Sequence, residues 1–362
     1  MKKTIVSLIS DQTIHNIQFI KEKKADNYLF ISTESIESKG VTNWIINALN
    51  LPLDLCKTIV VNPFDYDSII KESEKHIDDD HQYLVNLTGG TKLMSLALND
   101  LFRTVNAELF YISGNGSYSK LFPGRVKQTF QFVQKLDLQE YLKAYGFKIK
   151  ATSEPTFAFD VTEKIFKYYL HSFSKETDII PLSYLFSKRG KTINDLKECV
   201  ELIPFLQRIN YIPIETNSLS KIETKYLTGD WFEEFFYHLL KKQNSTTISS
   251  IGTGWIIEKN GIPNEFDLIY IHNNNLRIIE CKTFIWTNSE ETKSIIGETI
   301  YKSDSLKNKL GLFAKTSIVT LSELTSTRLK DYLQRAKENE IKVLGKESFE
   351  STELLLSKLI EC

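Results

Sequence analysis

The chain has 362 residues and a formal net charge of −1, with 41% hydrophobic and 25% charged side chains; this composition excludes wholesale disorder and argues against a protein that grips duplex DNA by overall charge alone. The length favours two domains over one. No stretch is long and apolar enough to span a bilayer; four cysteines without a CxxC pair (Cys56, Cys199, Cys281, Cys362) and six histidines without an HExxH pair argue against a disulfide framework or a zinc hydrolase, so a cytoplasmic location away from membranes is expected.

The opening MKKTIVSLIS has an apolar run too short for a signal peptide, and Asp11 interrupts it, so it reads as a first β-strand. Further strand-like runs are NYLFIST from Asn27, KTIVVN from Lys57, QYLVNLT from Gln82 and AELFYIS from Ala107. Helical segments such as TNWIINALN and KLMSLALNDLFRTV lie between them. This alternation predicts a parallel, doubly wound sheet whose nearly continuous apolar strands are covered on both faces. Over about 124–211 the pattern turns helical, punctuated by Pro155, Pro181 and Pro204. A second α/β block begins near Thr228: the helix TGDWFEEFFYHLLKK, the hairpin NEFDLIYIHNNNLRIIECKT, a helix over about 298–309, the strand TSIVTL and a charged, mostly helical end with one short strand. The predicted divisions are 1–150, a helical connector over 151–225, and 226–362.

In the first block QYLVNLT runs into Gly89-Gly90-Thr91-Lys92 and then a helix. Strand, glycines and helix N-terminus make a natural anion site: the glycines admit a ligand to the backbone, and the free amides and helix dipole favour phosphate. Asn86 opens this stretch, and Thr88, Thr91 and Lys92 add side-chain donors. Neither GxxxxGK[ST] nor GxGxxG is present, which argues against ATP hydrolysis and dinucleotide redox chemistry. The loops Ser10-Asp11-Gln12-Thr13, Ser32-Thr33 and Ser113-Gly114-Asn115-Gly116 would gather at the same carboxyl edge, where open α/β sheets bind ligands. Taken singly, each of those loops reads more simply as turn and cap chemistry; for residues 86–92 ligand binding is the favoured reading.

The hairpin of the second block carries the chemistry. Asn tolerates the left-handed conformations of a tight turn. A turn centred between Asn273 and Asn274 sets Asp267 directly opposite Glu280, with Cβ atoms roughly 5 Å apart. Facing like charges destabilise a hairpin, and the arrangement makes sense with a hard cation such as Mn²⁺ or Mg²⁺ between them. Lys282, two residues on, shares the face of Glu280, where an ammonium can orient an attacking water and offset charge on a scissile phosphate. Cys281 points the other way, so its carbonyl rather than its thiol is the group that could reach the metal. Alone, Glu-x-Lys would read as a solvated strand face; the facing Asp267 and the upstream helix give it weight. In that helix Trp231, Phe232, Phe235, Phe236, Leu239 and Leu240 form an apolar stripe, and Glu233 at its edge is better placed than Glu234 to face the sheet. A solvated glutamate near the helix N-terminus fits Glu233 equally well. Lys302 is a further candidate for phosphate contact.

The order helix-Glu, Asp, Glu-x-Lys, here Glu233, Asp267, Glu280 and Lys282, resembles the restriction-endonuclease-like PD-(D/E)xK fold, with Glu265-Phe266 standing where the signature has its proline. NLTGGTK after the fourth strand resembles the CRISPR-associated Rossmann-fold sensor domain, CARF. The two together resemble the ancillary nucleases of type III CRISPR systems. The resemblance implies an α/β protein with an N-terminal Rossmann-like sensor, a helical connector and a C-terminal restriction-endonuclease-like domain. It implies a homodimer that binds cyclic oligoadenylate, above all cyclic tetra-adenylate, across its two-fold axis. It also implies Mn²⁺- or Mg²⁺-dependent cleavage of single-stranded DNA or RNA, or nicking of duplex DNA, with Asp267, Glu280 and Cys281 at the metal. Two other readings stay open: an ungated restriction or repair endonuclease, and a nucleotide-sensing regulatory module whose nuclease domain is inactive.

Overall fold

Each apolar run of the first block forms a strand in the computed structural model, which describes residues 1–114, 116–124, 128–242, 247–283, 289–307, 309–324, 329–349 and 351–360. β1 (Lys2–Leu8), β2 (Asn27–Ser32), β3 (Cys56–Val60), β4 (His81–Asn86) and β5 (Ala107–Ser113) lie parallel in the order β3-β2-β1-β4-β5. Side chains alternate across the pleat. Ile5, Phe30 and Leu84 pack on one face, against the helices Ile14–Lys23 and Val41–Leu49. Val6, Leu29 and Val85 pack on the other, against the helices Tyr66–Glu74 and Lys92–Phe102. Burial on both faces is why these strands read as continuous apolar runs. Two strands that the apolar pattern does not signal, β6 (Ser117–Phe122) and β7 (Gln128–Gln131), extend the sheet antiparallel beyond β5.

The second sheet is mixed, in the order β13-β12-β11-β10-β9-β8. Its members are β8 (Lys148–Ser153), β9 (Ile248–Lys259), β10 (Ile262–His272), β11 (Asn275–Lys282), β12 (Lys315–Thr320) and β13 (Lys342–Leu344). β8 to β11 run antiparallel, and β11 to β13 parallel. The helices Phe159–His171, Lys175–Ser187 and Leu202–Arg208 fall in the stretch expected as a connector. They form a packed layer: Ile165, Phe166, Leu182 and Phe205 share one core with Phe232 and Phe235 of the helix Trp231–Lys242 and with Leu268, Tyr270 and Ile279 of the sheet. The sheet's opposite face, through Ile269, Ile271, Leu276 and Ile278, belongs to the core that contains Ile5, Phe30 and Phe110 of the first sheet. The helix Leu138–Ala144, with Tyr141 and Leu142 buried, lies in that shared core. Among the described residues no helix is long and apolar enough to cross a membrane.

At the carboxyl edge of the first sheet the chain turns sharply after β4. Gly89 has φ +115, and a Cβ there would lie 2.7 Å from the carbonyl oxygen of Leu8. Glycine is therefore required both for the backbone angle and for the approach of β1. Gly89→Ala is expected to cost about 1–3 kcal/mol. Urea unfolding should show a lower midpoint with an unchanged slope.

Candidate active site

The geometry of the site starts from the turn. Asn273 and Asn274 adopt left-handed φ values of 48° and 62°, and His272 pairs with Asn275 across them. From there the ladder runs in strict register to Leu268 opposite Ile279. The next facing positions are Asp267 and Glu280, as the turn predicts. Glu280 and Lys282 follow Leu276 and Ile278 at period two, while Cys281 joins Leu268 and Ile279 in the core of the other face.

Two ammonium groups sit on these carboxylates. Asp267 Oδ2 accepts from Lys282 Nζ at 2.8 Å and from the Cys281 amide at 2.7 Å. Glu280 is only 1% exposed; Lys302 Nζ reaches both of its oxygens at 3.2 Å and Lys282 Nζ lies 3.6 Å away. Lys302 also donates to the Glu265 carbonyl at 3.0 Å. Thr253 donates its hydroxyl to the Asp267 carbonyl at 2.9 Å, tying β9 to the same point.

Burial, and then the neighbouring Asp267, push the Glu280 carboxyl above the usual range, while the two lysines pull it back. Burial alone would depress the Lys282 ammonium; Asp267 and Glu280 outweigh it and hold it above the usual lysine range. Burial, then Asp267 and Asp230, raise the Glu233 carboxyl well above its ordinary value. Among the described residues no hydrogen bond reaches that carboxylate. Glu233 lines a cleft of about 320 Å³ together with Arg189, Lys225, Asp230, Thr253 and Glu265. Glu234, by contrast, is buried and spent on structure, accepting from the amides of Thr156 at 2.7 Å and Phe157 at 3.0 Å. Arg189 anchors the start of this helix, donating to Thr228 at 2.6 Å and Asp230 at 2.7 Å. No motif marks Arg189, because its partners lie about forty residues away in sequence.

Among the described residues no group of three or more His, Cys, Asp and Glu side chains is arranged to hold a metal ion. The donor set nevertheless suits a hard cation, which commonly takes one or two carboxylates and completes its shell with water. Asp267 and Glu280 offer facing carboxylates. The Cys281 amide points at Asp267, and in an extended strand the carbonyl of the same residue points to the same side. The Cys281 thiol is pushed well above its usual range, first by burial, and stays a neutral core group.

At the first sheet's edge the expected ligand loops do assemble, but their side chains differ in availability. Thr13 is buried and donates to the Ala144 carbonyl at 2.7 Å. Asn86 is buried and donates to Asn16 at 2.8 Å. Thr88 is buried and accepts from the Ile112 amide at 2.7 Å. Thr91 caps the helix Lys92–Phe102 by accepting from the Met94 amide at 3.2 Å, and donates to the Pro63 carbonyl at 3.0 Å. Thr33 precedes the short helix Glu34–Glu37 and is within 3.1 Å of the Ser35 hydroxyl. These hydroxyls and amides hold the loops in place rather than face solvent. Ser10 accepts from the Gln12 amide at 3.3 Å, and Asp11 pairs with Lys39 at 2.8 Å on the surface. Gly90, Lys92 and Gly114 are exposed, and Ser113 and Gly89 partly so. Asn115 lies outside the described residues.

Residues 4–141 match the family model described as the Card1 CARF domain, and residues 220–358 that of the Card1-like endonuclease domain. Solved structures share the fold. Can2 from Sulfobacillus thermosulfidooxidans, in complex with cyclic tetra-adenylate, superposes with a TM-score of 0.78 at 22% identity over 99% of this chain and 100% of that one. Protein VC1899 from Vibrio cholerae gives 0.77 at 17% identity over 99% and 98%. A type III CRISPR defence DNA nuclease activated by cyclic oligoadenylate gives 0.55 at 14% identity over 89% of this chain and 45% of that one. No curated protein sequence matches the chain.

The raised Glu233 carboxyl has a definite consequence for stability. A folded-state value above the unfolded one means that its contribution is fully present below the ordinary carboxylate value of 4.5 and is lost as pH rises through the raised value. Glu233→Gln should therefore raise the thermal midpoint of the metal-free protein at neutral pH. The gain should shrink toward zero as the pH falls to the ordinary carboxylate value. Thermal unfolding in chelator across that interval checks both statements.

Proposed function

We propose, from the premise that the chain is a Card1 CARF domain joined to a Card1-like endonuclease domain, that it is a metal-dependent endonuclease switched on by cyclic oligoadenylate in type III CRISPR defence. The observation that carries the nuclease reading is the juxtaposition of Asp267, Glu280 and Lys282 at one end of the β10–β11 hairpin. Asp267, Glu280 and the Cys281 carbonyl would hold Mn²⁺ or Mg²⁺. Bound there, the ion supplies Lewis-acid polarisation of a phosphodiester.

The rest falls to the chain's own groups. The Lys282 ammonium, held charged between two carboxylates, orients the attacking water and stabilises negative charge on the scissile phosphate. Glu233 lies near enough to Asp267 and Lys282 to feel both charges, and burial and Asp267 raise its carboxyl above the ordinary carboxylate range. Single-stranded DNA or RNA is the favoured substrate, with nicking of duplex DNA a further one. The near-neutral chain leaves attraction to the backbone to a few local lysines.

For the sensor, the likeness to a structure holding cyclic tetra-adenylate supports that ring as the activator. Two copies of the chain would present the same loops to a ligand with two-fold symmetry. Lys92, exposed on the first turn of its helix behind Gly89 and Gly90, contributes charge to a phosphate at that helix terminus.

Asp267→Asn and Glu280→Gln should abolish Mn²⁺-dependent cleavage, and Lys282→Ala should lower it about a hundredfold or more while metal still binds. Circular dichroism should report an intact fold in all three. Substantial metal-dependent cleavage by the carboxylate variants would refute the assignment. Lys92→Glu should weaken cyclic tetra-adenylate binding and remove ligand-stimulated cleavage, with a linear oligoadenylate as control. Wild-type cleavage that is equally fast without the ring would favour an ungated endonuclease.

A further inference from the structure

Residues 309–314 join the helix Ser289–Lys307, which carries Lys302, to β12. This short segment touches the sensor half repeatedly. Tyr141 donates its hydroxyl to the Leu310 carbonyl at 2.9 Å. The Leu312 amide donates to Gln12 Oε1 at 3.1 Å, an oxygen that also accepts from the Tyr145 hydroxyl at 3.3 Å. Gly311 lies flush against the Tyr145 ring, where any Cβ would overlap it. The Phe313 ring meets His15 edge-on at 5.9 Å and lies against one side of Gly114, where a Cβ would be 2.5 Å from it. Gln12 and Gly114 stand on the loops after β1 and β5, at the carboxyl edge where the sensor's ligand is expected.

The other side of the segment is bound to the nuclease. Phe313's carbonyl accepts from Arg277 at 3.1 Å, and Arg277 lies on β11 with Glu280. Leu306, Leu310 and Ala314 are buried in the core that both halves share. A close-packed segment shifts as a body rather than deforming locally. Lys302, about a turn and a half from the helix end, holds Glu280 at 3.2 Å and the Glu265 carbonyl at 3.0 Å. A displacement of about 1 Å carries such contacts out of hydrogen-bond range.

We propose that residues 309–314 relay occupancy of the sensor pocket to the catalytic centre, and that Lys302 is the positioning residue they set. A ligand that competes for the Gln12 carboxamide, or separates Phe313 from Gly114, moves the segment. The helix Ser289–Lys307 follows, and Lys302 changes its place relative to Glu280. The relay rests on the reading that cyclic oligoadenylate gates cleavage, and it works only if the ligand binds the two arrangements unequally.

The test uses the full chain, cyclic tetra-adenylate as probe, Mn²⁺ and a single-stranded substrate. Phe313→Ala should bind the ring within about threefold of wild type, while stimulation of cleavage falls about fivefold or more, the span of ordinary coupling energies. Unchanged stimulation would overturn the relay and leave gating intact. Binding and stimulation that fall in step would make Phe313 a wall of the pocket and overturn it as well. Should the variant fold poorly, amide exchange in the wild type decides: adding the ring should alter protection over 296–314. Protection confined to the sensor loops would refute the relay. A wild type whose cleavage ignores the ring would remove gating itself, and the relay with it.

Discussion

Two carboxylates facing each other across one hairpin are the constraint on which the rest of the nuclease half depends. Placed opposite one another, Glu280 buried and Asp267 half-buried, the two repel, and nothing in a two-stranded ladder compensates for that. The chain meets the repulsion with Lys282 from the same strand, Lys302 from a helix further on, and the Cys281 amide. The register must also be fixed, since a slip of one residue would turn the acids to the opposite face. The left-handed pair Asn273 and Asn274 fixes it. The sensor half pins that turn: Asn274 accepts from the Leu136 amide at 2.7 Å and donates to the Gln134 carbonyl at 3.1 Å. The position of the acidic pair is thus secured at both ends of the hairpin, by chemistry at one and by docking at the other.

What the sequence made legible follows from how local each signal is. The five parallel strands announce themselves as apolar runs because both of their faces are covered. The hairpin register is set by two adjacent asparagines and needs no distant information. Helical periodicity sets Glu233 nearer the apolar stripe than Glu234, yet Glu234 is the more buried of the two, because it accepts from the amides of Thr156 and Phe157. Pairings between distant stretches stayed hidden. β8 joins β9 across about a hundred residues. β7 is exposed along its whole length and carries no apolar pattern. The helix Phe159–His171 is amphipathic, yet nothing in its spacing says that its stripe meets the helix Trp231–Lys242.

The sensor edge teaches a related lesson about polar residues. A threonine or asparagine beside a glycine turn reads as a ligand donor, because the sequence does not disclose burial. In the fold Thr13, Asn86 and Thr88 are shielded, and each satisfies a backbone or side-chain group of a neighbouring element. Buried polar groups need such partners, so these residues set the shape of the edge. The groups that face outward include backbone at the glycines and the side chains of Asp11 and Lys92.

The shared core carries a consequence for how such a protein fails. Ile269, Ile271, Leu276 and Ile278 form the wall of the nuclease sheet that closes on sensor residues. A protease cut near residue 150 that let the halves separate would leave this wall in water. Exposed apolar surface of that kind favours aggregation over a freely diffusing enzyme. Cutting the chain between its two domains would therefore uncover this wall rather than free a compact second domain.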